Sequence, residues 1–252
     1  MGFWVLALLG FVQGICEFLP ISSSGHLVLL SKLFGIEDSL FVSIILHIAT
    51  LFAVLIVFRK DLWRMIRNPL SKEVVTLALS TICTCMVAIV VMPYLKQSFG
   101  GELLPLTFAL SGVILFLVEM CFKGQKGARI GIKNAFIIGL AQGAALLPGL
   151  SRSGTTIAAG IASGADKKEC AKFSFLLSIP TILGSLVLEC YDFFSGGCQI
   201  SINVAGLVVG VIVAFLVGLV SIKCMLKITE KASFKYFALY LAAMSILSWI
   251  VL

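Results

Sequence analysis

Apolar residues run along this chain in blocks too long for the core of a soluble domain. Six blocks, 40–58, 74–95, 103–122, 172–190, 202–222 and 235–251, approach the roughly 20 helical residues needed to cross a bilayer core of about 30 Å. No polar–apolar alternation of period two runs through them, so the predicted spans are helices and not barrel strands. Two further apolar stretches, 3–33 and 134–164, are broken near their middles. The first break reads Phe18-Leu19-Pro20-Ile21-Ser22-Ser23-Ser24-Gly25-His26, the second Leu147-Pro148-Gly149-Leu150-Ser151-Arg152-Ser153-Gly154-Thr155. Neither half of these stretches is long enough to cross alone. The pattern predicts a hairpin that enters the membrane and returns. Irregular backbone at that depth survives only where protein or water satisfies it, so both breaks are expected to line a cavity. The expected fold is an all-α polytopic membrane protein with six transmembrane helices and two re-entrant helical hairpins.

The two broken stretches repeat one another at a constant offset of 129. Gly10, Gln13 and Gly14 fall on Gly139, Gln142 and Gly143, and Ser22, Ser24, Gly25 and Gly35 fall on Ser151, Ser153, Gly154 and Gly164. The chain then divides into repeat one, 1–123 with hairpin 3–33, and repeat two, 134–252 with hairpin 134–164, inside a single membrane domain. One hairpin and three spans per repeat is an odd number of crossings. The second repeat therefore enters upside down, an inverted-topology duplication that places a functional site at the repeat interface.

Composition and charge sharpen this. Hydrophobic residues are 60% of 252 and charged residues 12%, against roughly 45–50% and 25% in ordinary soluble chains; mean hydropathy is +1.12. A disordered chain, a disulfide mini-protein and a water-soluble globule are excluded. The net charge of +7 does not form a nucleic-acid footprint. Of 19 basic residues, 16 sit in four connecting segments: Arg59, Lys60, Arg64, Arg67 and Lys72; Lys123, Lys126, Arg129 and Lys133; Lys167, Lys168 and Lys172; Lys223, Lys227, Lys231 and Lys235. The predicted topology puts all four on one side, which the positive-inside rule makes cytoplasmic. Both termini are then outside, the first hairpin opens outward, and the second opens to the cytoplasm. The start, Met1-Gly2-Phe3-Trp4, lacks the basic region of a cleavable signal peptide. None of the eight cysteines forms a CxxC; Cys190 and Cys198 flank one short loop and are a possible pair.

Few ionisable groups remain at membrane depth, where each is costly and functional by default: Glu17, His26, His47 and Arg152, with Glu119 and Glu189 near span ends. The last two read as structural. Gln13 and Glu17 are four apart and share a helix face. That face suits either a divalent cation, Mg²⁺ or Ca²⁺, or a general base, or a purely structural pairing with Arg152. Arg152 opens a helix in Ser151-Arg152-Ser153-Gly154-Thr155-Thr156. A guanidinium fork, a helix N-terminus and the hydroxyls of Ser151, Ser153 and Thr156 together suit a phosphate or diphosphate. Ser22, Ser23 and Ser24 repeat that design, and some of them can simply cap the following half-helix. His26 offers a general acid, base or nucleophile at phosphorus, with Ser23 as rival nucleophile. His47 is either a supporting residue of the site or a plain interhelical hydrogen bonder. A membrane protein with such a site most naturally acts on a lipid phosphate. A lipid-phosphate flippase or anion transporter would use the same inverted repeat, and an anion channel is weaker because of the buried Glu17.

The run Gln13-Gly14-Ile15-Cys16-Glu17-Phe18-Leu19-Pro20-Ile21-Ser22-Ser23-Ser24-Gly25-His26 resembles the first signature of the undecaprenyl-diphosphate phosphatases of the bacitracin-resistance type. Pro148-Gly149-Leu150-Ser151-Arg152-Ser153-Gly154-Thr155-Thr156 resembles their second, PGxSRSxxT. The resemblance extends along the full chain. It implies hydrolysis of undecaprenyl diphosphate to the monophosphate carrier for cell-wall synthesis, in the bacterial inner membrane, at a site reached from the outer side. It also implies divalent-cation dependence and a homodimer. The acidic motif of that family, (E/Q)xxxE, has Gln13 at its first position, which leaves Glu17 its sole carboxylate. In these terms Glu17, His26, Arg152 and Ser23 are the expected catalytic residues. Gln13, Ser22, Ser24, Ser151, Ser153 and Thr156 are expected to bind substrate, and Glu17 with Gln13 the metal. Replacing Arg152 or Glu17 by Ala is expected to abolish turnover with little loss of folded protein.

Overall fold

A bilayer offers peptide groups no water, so each apolar segment satisfies its own N–H and C=O groups as a helix. The computed structural model describes residues 2–36, 39–98, 101–122, 127–195, 203–231 and 233–252. Among them run α1 Phe3–Cys16, α2 Ser23–Leu33, α3 Ser39–Val57, α4 Arg59–Arg67, α5 Lys72–Ser98, α6 Leu104–Phe122, α7 Ile132–Ala144, α8 Arg152–Ala162, α9 Lys167–Ser195, α10 Val204–Lys231 and α11 Lys235–Val251. Among the described residues four stretches are long and apolar enough to span a membrane: Lys72–Val91, Leu104–Phe122, Lys167–Leu188 and Val204–Thr229. α3 joins them when taken with α4, from which it bends by 72°. α11 is apolar but only 17 residues long. The protein is an all-helical, multi-pass membrane protein.

Both interrupted stretches are helix pairs, α1–α2 and α7–α8, with the breaks at 17–22 and 145–151. The segment 59–73, expected as a loop, holds the short helix α4. Its charges mask an amphipathic pattern in which Met65 is buried while Trp63 and Ile66 are exposed.

Helices in lipid gain little from hydrophobic burial against one another, so small residues that allow close backbone approach decide the packing. α1 lies on α10 through Gly10, where a Cβ would overlap the Gly210 carbonyl oxygen. α7 lies on α5 through Gly139, where a Cβ would come within 2.5 Å of the Ser80 carbonyl oxygen. Gln13 Nε2 donates to Thr50 Oγ1 of α3 (3.5 Å), and Gln142 Nε2 donates to Thr181 Oγ1 of α9 (2.9 Å). The positions aligned by the offset of 129 thus carry the same packing and the same class of hydrogen bond in both hairpins. Replacing Gly10 by Ala is expected to cost about 1–3 kcal/mol through overpacking. A lower unfolding temperature in detergent would register it, and an unchanged one would show that the α1–α10 contact is loose.

Glu119, read as structural, is buried and ties three helices. It accepts from Lys167 Nζ (3.2 Å) at the start of α9 and from the Phe234 N–H (3.4 Å) ahead of α11. The side chains of Glu189 and Cys198 lie outside the described residues, and with them the expected Cys190–Cys198 pair.

Candidate active site

Hydroxyls from neighbouring helices brace the two breaks. Gly149 sits at φ 87, a region that only glycine enters freely. Thr107 Oγ1 of α6 donates to the Pro148 carbonyl (2.7 Å), and Ser111 Oγ donates to that of Gly149 (3.2 Å). Ser111 Oγ also accepts from the Ser151 N–H (2.8 Å). In the first break Ser22 stands at φ 67, ψ 96, a strained geometry for a residue with a side chain and one that collects at functional sites. Ser22 Oγ and Ser151 Oγ cap α2 and α8, accepting from the N–H groups of Gly25 (3.4 Å) and Gly154 (3.1 Å). The tips touch: Ser153 Oγ of the second donates to the Leu19 carbonyl of the first (3.0 Å).

Glu17, buried at the end of α1, is the hub. One carboxylate oxygen pairs with Arg152 Nη2 from the opposite tip. The other accepts from Ser23 Oγ (2.6 Å) and from Gln13 Nε2 (3.1 Å), and His47 Nε2 of α3 stands 3.6 Å from it. Helical spacing puts Ser43, His47 and Thr50 on one face of α3, which carries His47 to Glu17. A cavity of about 600 Å³ opens over this cluster, lined by Glu17, Ser22, Ser23, Ser24, His47, Ser151, Arg152 and Ser153. Arg152 Nη1 and Gln13 Oε1 are buried with no hydrogen-bond partner among the described residues. An unmet guanidinium donor beside a hydroxyl-lined cavity is suited to an anionic oxygen. A carboxylate on a serine hydroxyl is the arrangement that activates an oxygen nucleophile.

A family model described as Bacitracin resistance protein BacA matches residues 6–247. The chain belongs to the BacA family. It is 37% identical over 237 residues to the undecaprenyl-diphosphatase of Carboxydothermus hydrogenoformans, covering 92% of this chain and 91% of that one. It is 38% identical over 251 residues to the undecaprenyl-diphosphatase of Bacteroides thetaiotaomicron, 95% of each chain. It is 39% identical over 253 residues to that of Parabacteroides distasonis, with 96% and 95% covered.

In this BacA chain two expected site residues lie elsewhere. His26 was expected to move a proton at the reaction centre. The cavity-facing residues of α2 are Ser23, Ser24, Leu27, Val28, Ser31 and Lys32, and His26 is not among them. A carbonyl oxygen only accepts, so His26 Nδ1–H donates to the Ser22 carbonyl (2.7 Å). Nε2 then accepts from the Tyr240 hydroxyl of α11 (2.7 Å), whose ring stacks on the imidazole at 5.7 Å. In this placement His26 holds the strained Ser22 backbone and so positions the serine tip. Removing one such hydrogen bond costs about 1 kcal/mol, so Tyr240→Phe is expected to lower kcat about fivefold with KM little changed. An unchanged kcat would show that the tip does not depend on this chain of bonds.

Thr156, expected to bind substrate, is fully buried one turn below the α8 tip. Its hydroxyl bonds Ser174 Oγ of α9 (2.7 Å), so it braces α8 and does not line the cavity. Gln13, Glu17, Ser22, Ser23, Ser24, Ser151, Arg152 and Ser153 come together as expected, and His47 joins them. The signal for His47 was an ionisable group in mid-span. Nothing along the chain marked Tyr240.

Among the described residues no three His, Cys, Asp or Glu side chains gather as a metal site. Glu17 offers a carboxylate, and Gln13, whose Nε2 donates to it (3.1 Å), has its Oε1 unpartnered. Such oxygens are the ligand type that Mg²⁺ or Ca²⁺ takes, and substrate phosphates and water would have to complete the coordination.

Proposed function

We propose that this protein hydrolyses undecaprenyl diphosphate to undecaprenyl phosphate and inorganic phosphate, returning the carrier lipid to cell-wall synthesis. The observation that carries the reading is Ser23 Oγ donating to a Glu17 carboxylate that is paired with Arg152, within one cavity. Membership of the BacA family agrees with it.

The terminal phosphoryl group lies against Arg152 and the hydroxyls of Ser22, Ser24, Ser151 and Ser153. Ser23 Oγ attacks the terminal phosphorus while Glu17 takes its proton. The anhydride bond breaks and the lipid monophosphate departs. Glu17 passes that proton to the departing lipid monophosphate. Water then attacks the phosphoserine, giving a proton to Glu17, which returns it to Ser23 Oγ as the serine–phosphorus bond breaks and inorganic phosphate is released. Arg152 offsets the charge that gathers on the phosphoryl oxygens. His47 and Gln13 orient the Glu17 carboxylate, and the isoprenoid tail runs along the apolar part of the cavity towards lipid. A divalent cation bound to Glu17 and Gln13 Oε1 would neutralise phosphate charge. Moving a diphosphate across the membrane needs the cation and the donors but no serine seated on a carboxylate, which favours hydrolysis over the flippase reading.

The finer topology belongs to the same proposal. Six spans and two re-entrant hairpins form an inverted repeat, with the basic segments cytoplasmic and the site reached from the outer side of the bacterial inner membrane. The test is phosphate release from a polyprenyl diphosphate by purified protein, with and without EDTA. Release that EDTA removes and Mg²⁺ or Ca²⁺ restores is the expected result. Calorimetry should then show cation binding only when diphosphate is present, because the protein supplies a single carboxylate. Release indifferent to EDTA would remove the cation from the proposal. Lipid binding without any release by folded protein would overturn the enzyme.

A further inference from the structure

A second cavity, of about 420 Å³, shares no lining residue with the first. It opens at the basic end of the bundle, between α4, the first turns of α5 and α9, and Arg129–Ile130. Its charged lining is Arg64, Lys72, Arg129 and Lys172 against Glu73 and Glu169. Two of the cations are committed. Arg64 pairs with Asp61 (2.7 Å) and Glu73 (3.2 Å), and Lys172 pairs with Asp61 (2.7 Å). No carboxylate among the described residues pairs with Lys72 or Arg129. The backbone fixes Arg129 in place: Ala128 N–H donates to the Gly164 carbonyl (3.0 Å), and Asp166 N–H donates to that of Ala128 (2.9 Å).

The cavity also has an apolar wall, made by Met65, Leu77, Ile130, Phe173 and Leu176. Beside it runs α4, with Trp63 and Ile66 exposed and the Arg67 guanidinium 5.1 Å above the Trp63 ring. An amphipathic helix of cations and exposed Trp lies at the headgroup level of a bilayer. Unpaired cations over an apolar wall, at that level, match a phosphate group carried on a glycerol and acyl chains.

We propose that this cavity binds the phosphate headgroup of an anionic phospholipid at the basic face of the bundle, through Lys72 and Arg129. A basic pocket between membrane helices is suited to such a headgroup. The proposal does not depend on the phosphatase reading.

The test uses the full chain in nanodiscs of phosphatidylcholine with and without phosphatidylglycerol, and retained lipids are counted by native mass spectrometry. The wild type is expected to hold phosphatidylglycerol in preference to phosphatidylcholine. The double variant K72Q/R129Q should lose about tenfold of that preference, given the attraction of each surface cation for anionic lipid. Its unfolding temperature in pure phosphatidylcholine and its phosphate release should match the wild type, because neither residue holds an ion pair among the described residues or touches the first cavity. No preference in the wild type, or an undiminished one in the variant, would overturn the proposal. Displacement of the lipid by millimolar inorganic phosphate would also overturn it, because the cavity would then recognise free phosphate and not a lipid.

Discussion

Arg152→Ala should reduce phosphate release from a polyprenyl diphosphate by about a thousandfold or more, the scale of losing a preorganised cation at a transferring phosphoryl group. The same substitution should also destabilise the protein, which the sequence alone did not lead one to expect. The Glu17 and Arg152 side chains are 1% and 19% exposed, so the truncation leaves a buried carboxylate without its counter-charge. Breaking such a pair costs about 3–5 kcal/mol. Two further variants separate chemistry from folding. Arg152→Lys keeps the charge but loses the bidentate fork. Glu17→Gln with Arg152→Gln removes both charges and should recover much of the unfolding temperature while remaining inactive. Activity near wild type in the double variant would remove this pair from the mechanism.

Ser23→Ala is expected to lower kcat by at least about ten-thousandfold, as when an attacking hydroxyl is removed from an otherwise intact site. The fold should be untouched, because Ser23 donates one hydrogen bond to Glu17 and sits at the first turn of α2, where Ser22 does the capping. The decisive measurement is covalent. Wild-type protein quenched in acid during turnover of a substrate labelled in its terminal phosphate should carry label on Ser23, and the variant none. A Ser23→Ala protein that kept a tenth of wild-type turnover would instead make water the attacking group, with Glu17 as its base.

Much of this protein was legible in its sequence. Hydropathy blocks fixed the class and nearly every helix, because a segment in a bilayer has to satisfy its backbone internally whatever its neighbours are. Pro20, Gly149 and the serine runs marked both breaks for the same reason: local chemistry decides whether a helix continues. The offset pairs Gln13 with Gln142, and each donates to a threonine of a neighbouring helix, Thr50 of α3 and Thr181 of α9, a partner that the sequence did not name. α4 was missed because a charged segment of nine residues reads as a loop until its apolar face has something to pack on.

The sequence by itself determined the class and the breaks, since these rest on segment length and residue chemistry; the pairing of Glu17 with Arg152 it offered only as one of three alternatives. Only the tertiary structure decided which side chains share the cavity. His26 and His47 are both membrane histidines, and the local signal, a serine run beside His26, favoured the one that packing turns away. The rotation of α2 sends His26 across to Tyr240, and that of α3 brings His47 to Glu17. Thr156 is likewise removed from the cavity by Ser174 of α9, 18 residues along the chain. The direction a side chain takes from a helix depends on what the rest of the bundle packs against it.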